Sequence, residues 1–160
     1  MEKQLTICYQ EFLKADDMPL PDRELVRQAI EAVQLSYAPY SRFNVGAAVR
    51  LSDGRVFTGA NQENAAYPSG LCAERTAMFY AHAHRENAVM ESIAIAACQN
   101  GELVSQPVSP CAACRQVMLE FEEKSFDGKP SPLSVIMVGS QRILKFSSAR
   151  DLVPFSFDSF

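Results

Sequence analysis

The sequence predicts a layered α/β domain, a mixed sheet covered by helices. Three observations carry that expectation. Segments with helical apolar spacing alternate with short extended apolar runs, in the order helix, strand, strand, helix, strand, helix, strand, strand. The chain has 160 residues, the size of one ordinary domain. It contains no repeat, low-complexity tract or linker that would divide it, so residues 22–160 are expected to form a single domain behind a lead-in over residues 1–21.

The elements follow in order. In the lead-in, Leu5, Tyr9, Phe12 and Leu13 have the spacing of a short amphipathic helix that Pro19 and Pro21 would end. Asp22 is placed to cap a helix reaching about Tyr37, with Leu25, Val26, Ala29, Ile30 and Val33 on one face. Pro39 closes it. Residues 45–51 and Val56–Ala60 are strands joined by an Asp53-Gly54 turn. After a loop with Pro68 and Gly70, residues 72–85 are helical, rich in alanine and with Ala77, Met78 and Ala81 in a stripe. Residues 92–98 are an almost wholly apolar strand, which implies burial on both faces. Residues 111–124 form another helix, with Val117, Met118 and Phe121 facing the core. Residues 133–139 and Ile143–Phe146 are the last strands.

Charge and cysteine usage narrow the function. Fifteen Lys plus Arg against 19 Asp plus Glu leave a net charge of −4. That argues against a general nucleic-acid binder, which needs a cationic face to neutralise phosphates. A small neutral ligand fits. No apolar run is long enough to span a bilayer and the start lacks an apolar leader core, so a cytoplasmic protein without a membrane partner is expected. The five cysteines, Cys8, Cys72, Cys98, Cys111 and Cys114, are an odd number. In a reducing compartment this favours thiolate chemistry over disulfides.

Three of them point to zinc. Cys72-Ala73-Glu74 opens one helix and Pro110-Cys111-Ala112-Ala113-Cys114 opens another. The strand between them can bring the two helix starts side by side. Cys111 and Cys114 then aim at one point, and Cys72 makes a three-sulfur site with one tetrahedral position open, as catalytic zinc requires. Helix N-termini lower thiolate pKa, and Arg75 adds positive charge beside a site whose three thiolates outweigh one zinc ion. Glu74, two residues beyond a ligand, can share the site without binding the metal and move protons. A closed structural site would need a fourth ligand. Cys98, at the end of a buried strand, and His82 or His84, far down the helix from Cys72, are the remaining choices. Cys8 and Cys98 otherwise read as apolar fillers.

Taken together, these motifs resemble the cytidine deaminase family, whose signature pairs Cys-x-Glu with Pro-Cys-x-x-Cys. The resemblance extends to Ala38-Pro39-Tyr40-Ser41-Arg42-Phe43-Asn44-Val45-Gly46-Ala47-Ala48, to Gly59-Ala60-Asn61-Gln62-Glu63-Asn64-Ala65-Ala66-Tyr67-Pro68, to Cys72-Ala73-Glu74-Arg75-Thr76-Ala77 and to residues 109–121, covering about residues 22–157. Ala112 and Gln62 depart from the usual pattern without removing a catalytic group. The resemblance implies a three-layer α/β/α fold with a mixed, about five-stranded sheet. It implies zinc, one ion per chain, and hydrolytic deamination of cytidine and 2′-deoxycytidine to the uridines in pyrimidine salvage. An activated water would add at C4 while Glu74 shuttles protons. Phe43 falls where the family stacks on the pyrimidine, and Asn61 and Glu63 where it binds ribose hydroxyls. The Ala73 N–H and the Ser109 carbonyl fall where the base edge is read. Arg75, typical of the small homotetrameric branch, would hydrogen-bond the ligand sulfurs. Tyr67 and Phe157 would reach a neighbour's pocket, so that a homotetramer shares its sites. Phe155, Phe157 and Phe160 crowd the chain end, as suits a contact surface.

Two other functions share these features. A deaminase of blasticidin-type nucleoside antibiotics would use the same chemistry, although Phe157, three residues after Pro154, resembles the cytidine-specific tail. A non-enzymatic zinc module would explain the cysteines but not Glu74, Asn61 and Glu63 together.

Overall fold

The computed structural model describes residues 1–125 and 128–158. Among these residues the α-helices are α1 Leu20–Ala32, α2 Ala73–His84 and α3 Ala112–Glu123. The strands are β1 Gln10–Phe12, β2 Phe43–Leu51, β3 Val56–Ala60, β4 Met90–Gln99, β5 Glu102–Leu103, β6 Ser134–Val138 and β7 Ile143–Phe146. They form one mixed sheet in the order β1-β7-β6-β4-β2-β3, with the short β5 beside β4. Among the described strands, β4 and β6 alone pair in parallel, with α3 between them in the chain. The expected layered α/β domain is present. The expected strands are all there, and β1 and β5 extend the sheet beyond five.

The three layers follow from alternation along the strands. Ala48, Ala94, Ala96, Ile136 and Val138 face α1, which buries Leu25, Val26 and Ala29 against them. Their neighbours Ala47, Val49, Ile93, Ile95, Val135 and Met137 face the other way, onto Ala77, Met78 and Ala81 of α2 and Met118 of α3. β4 is buried on both faces, which is why its sequence is a continuous apolar run. Two glycines set the helices close. A Cβ at Gly46 would lie 2.3 Å from the Ala29 carbonyl oxygen, and one at Gly59 would lie 2.5 Å from the Ala77 nitrogen. Side chains at these two positions would push α1 and α2 off the sheet.

Strand direction places the site. β3 runs antiparallel to β2, and β2 antiparallel to β4, so β3 and β4 point the same way. The chain therefore leaves both strands at one end of the sheet, and the starts of α2 and α3 come together there. The start of β2 lies at the same end, since Phe43 is opposite Gln99.

Three expectations are corrected. The amphipathic helix of the lead-in does not form: Gln10–Phe12 is a strand paired with β7. The partner explains it, because β7 would otherwise present an open edge. Asp22 does not cap α1, which begins at Leu20 with Pro21 in its first turn, a position that tolerates proline. The buried Asp22 carboxylate instead accepts from Arg50 Nη2 at 3.1 Å and pairs with Lys145, joining α1 to β2 and β7. The helical path also stops short of Tyr37. Its backbone is taken by the loop after β3: the Tyr37 N–H donates to the Asn61 carbonyl and the Tyr37 carbonyl accepts from the Glu63 N–H, at 2.9 and 2.8 Å. Among the described residues no helix is long and apolar enough to cross a membrane.

Candidate metal centre and active site

Cys72 and Cys111 occupy equivalent places, each the residue that caps a helix, with extended backbone at φ −70° and −66°. Neither side chain caps its helix by a hydrogen bond, so the sulfurs are left for other use. Cys114, one turn into α3, is fully buried. The three sulfurs lie within 4.8 Å of one another, with Cys72 and Cys111 3.8 Å apart. Ligands on a tetrahedron with zinc–sulfur bonds of about 2.3 Å are separated by about 3.8 Å. The donor set therefore fits zinc, and among the described residues no fourth protein ligand joins it. Cys98, His82 and His84 stay apart from the group; His82 stacks on Phe121, with ring centroids 4.9 Å apart.

Electrostatics favour the thiolate at Cys72, while the Cys114 thiol beside it is pushed up, first by its hydrogen bond with Cys72. The Cys72 thiol is drawn down to about 5, first by the Cys114 thiol and then by Arg75, against the cost of burial. Arg75 Nη2 reaches the Cys72 sulfur at 3.7 Å. Glu74 is 5% exposed. Burial raises its carboxyl above the ordinary carboxylate value, and the charge on Cys72 raises it further.

A cavity of about 310 Å³ opens onto this cluster. Cys72, Ala73, Glu74 and Cys111 form one side; Phe43, Val45 and Ile95 form an apolar wall; Val108 and Ser109 close another. Asn61, Glu63 and Ser41 stand at its edge and also line a wider, open cleft of about 600 Å³ with Tyr40, Tyr67 and Arg75. The walls suit a flat, largely apolar ring with polar edges.

At the mouth, Asn61 is held on both sides of its amide: Oδ1 accepts from the Val45 N–H at 2.8 Å and Nδ2 donates to the Phe43 carbonyl at 2.9 Å. It thereby fixes the start of β2, and with it Phe43. The Glu63 carboxylate accepts from the Ser41 hydroxyl and from the Tyr40 and Ser41 N–H groups, at 2.9 and 3.2 Å for the latter two. These donors, the hydroxyl first, hold its pKa below the usual carboxylate range. Ser41 and the Tyr37 backbone were not singled out from the sequence, because their part lies in positioning Glu63.

The structure thus brings Phe43, Asn61, Glu63, Cys72, Ala73, Glu74, Cys111 and Ser109 to one cavity, with Cys114 and Arg75 beside them. It does not bring Tyr67 or Phe157 into the cavity of their own chain. They are 82% and 70% exposed, and Tyr67 lines the open cleft. Phe160, the third phenylalanine of the tail, lies outside the described residues.

Fold and site define a zinc-binding α/β domain of the nucleoside-deaminating type. Residues 20–126 match the family model described as the cytidine and deoxycytidylate deaminase zinc-binding region. A cytidine deaminase of Halalkalibacterium halodurans is 48% identical over 101 residues, spanning 62% of this chain and 72% of that protein. The crystal structure of cytidine deaminase from Burkholderia pseudomallei superposes with a TM-score of 0.69 at 41% identity, covering 84% of this chain and 97% of that one. Cytidine deaminase from Mycobacterium tuberculosis gives a TM-score of 0.66 at 31% identity, covering 88% and 100%. The chain belongs to the cytidine and deoxycytidylate deaminase family.

Proposed function

We propose that the protein is a zinc-dependent cytidine deaminase, converting cytidine and 2′-deoxycytidine with water to uridine and 2′-deoxyuridine and releasing ammonia. One observation carries this above a structural zinc module: a buried carboxylate, Glu74, lines a ring-sized cavity with Cys72 and Cys111, whose sulfurs converge with that of Cys114. Cys72, Cys111 and Cys114 would hold the metal. Zinc, when bound, supplies the Lewis acidity that makes water nucleophilic at neutral pH.

The chain's own groups do the rest. Glu74 takes a proton from the attacking water and passes protons to N3 and to the departing 4-amino group. Its raised pKa suits a group that must both accept and donate. Phe43 stacks on the pyrimidine, and the Ala73 N–H and Ser109 carbonyl meet its polar edge. Asn61 and Glu63 receive the ribose hydroxyls; the Glu63 carboxylate, already ionised and fixed by Ser41, accepts without reorganising. Arg75 offsets the excess thiolate charge.

The same proposal includes a cytoplasmic homotetramer with shared sites. Its support is the exposure of Tyr67, Phe155 and Phe157 and the open cleft beside the cavity, surfaces that a second copy would cover. Ammonia release from cytidine by the zinc-loaded protein tests the activity. Turnover that disappears on chelation and returns with zinc is expected; a zinc-replete protein that releases no ammonia refutes it.

A further inference from the structure

Arg115 directly follows Cys114, and its guanidinium turns back past the start of α3. Nε donates to the Pro110 carbonyl at 2.8 Å, Nη2 to the Ser109 hydroxyl at 2.7 Å and Nη1 to the Leu152 carbonyl at 3.2 Å. One planar group thus holds three acceptors from two segments far apart in sequence. The nearer segment depends on it. From residue 106 to residue 110 the backbone makes no hydrogen bond to another described backbone group, and Pro107 and Pro110 have no N–H to offer. Yet this segment contributes Val108 and Ser109 to the cavity wall. The Leu152 carbonyl steadies the far edge of the guanidinium, and the next residue, Gln116, adds a bond from Nε2 to the Phe157 carbonyl at 2.8 Å.

We propose that Arg115 is a positioning residue for substrate: it sets the Ser109–Pro110 wall against the pyrimidine edge. This rests on the deaminase function proposed above. The side chain lines neither the cavity nor the cleft, so it acts through the wall and not on the reacting atoms. A guanidinium suits the task because its donors form a rigid planar fork; an ammonium is a single point that cannot hold the three acceptors in one geometry.

The test compares Arg115→Lys, Arg115→Gln and Ser109→Ala in zinc-loaded protein by steady-state kinetics on cytidine and by zinc content. Both Arg115 variants should keep their zinc and lose roughly 10- to 100-fold in kcat/KM, carried mainly by KM, as expected for misplacement of about an ångström. Lysine should rescue little, since charge without the fork is insufficient. Ser109→Ala should raise KM by a smaller factor, and in the Arg115→Gln background it should add less than its separate effect. An Arg115→Lys enzyme with wild-type KM, or two effects that simply multiply, overturns the inference. If the Arg115 variants fail to retain zinc, Ser109→Ala decides, and an unchanged KM there overturns it as well. Wild-type protein with no cytidine turnover would instead mean that the deaminase function itself is wrong.

Discussion

Two carboxylates in this protein are equally buried, Glu74 and Glu122, each 5% exposed. They differ in what surrounds them. Glu122, near the end of α3, is matched on both oxygens. Oε2 accepts from the Leu133 N–H at 2.9 Å and the Ala149 N–H at 2.8 Å, and Oε1 from the Ser148 hydroxyl at 2.6 Å. It stitches α3 to the segments on either side of β6 and β7. Glu74, at the start of α2, meets its own backbone N–H and the Cys114 thiol, a donor that disappears once the sulfur ligates a metal, and it faces a cavity. Burial alone does not mark a catalytic acid. The role proposed for Glu74 rests on a carboxylate left short of donors and open to a ligand-sized space, whose proton affinity remains available for chemistry.

Four predictions separate these roles, from the largest effect to the smallest. Glu74→Gln should lower kcat by at least about 10²–10⁴-fold, with zinc content and melting temperature near wild type. Near-normal turnover would remove Glu74 from the mechanism. Truncation after Pro154 should leave zinc bound but weaken cytidine turnover strongly, and the intact protein should elute near four times 17.7 kDa. A fully active monomer would defeat the shared sites while leaving the metal chemistry intact. Glu122→Gln should show the opposite pattern to Glu74→Gln. Its amide N–H₂ would face a donor, costing about 1–3 kcal/mol of stability in urea titration while the remaining folded enzyme keeps its kcat. Loss of kcat without loss of stability would contradict the comparison.

The smallest effect concerns Glu63. Its folded pKa is depressed, so its stabilising contribution is present above the unfolded value of about 4.3 and fades as pH falls through the folded value. The difference in urea midpoint between wild type and Glu63→Gln should therefore be constant above about pH 5 and shrink below it. A difference that grows on acidification would show that the Ser41 hydroxyl does not hold the charged form.

The contrast between the carboxylates also shows what a sequence makes legible. Glu74 could be read because its partners are coded locally: Cys72 two residues before it, and a second helix opening with Pro-Cys-x-x-Cys. Glu122 could not, because its donors come from residues 11 to 27 positions away and two of them are backbone N–H groups, which every sequence contains. Asp22 was misread for the same reason. Its position suited a helix cap, but its partners lie 28 and 123 residues further on. Arg115 reads as an ordinary polar residue of a helix until Ser109, Pro110 and Leu152 are folded around it.

The sequence by itself determined the layered α/β class, most of the strands and helices, and the grouping of three cysteines with the carboxylate of Glu74 beside them. Those features rest on period, helix-start chemistry and short spacings, which survive in any conformation of the chain. The tertiary structure alone decided that Gln10–Phe12 is an edge strand and that Tyr37 leaves the helix to hold the loop bearing Asn61 and Glu63. Each of these depends on a backbone group finding a partner from a distant segment. Backbone hydrogen bonds carry no side-chain signature, so such choices appear only once the chain has closed on itself.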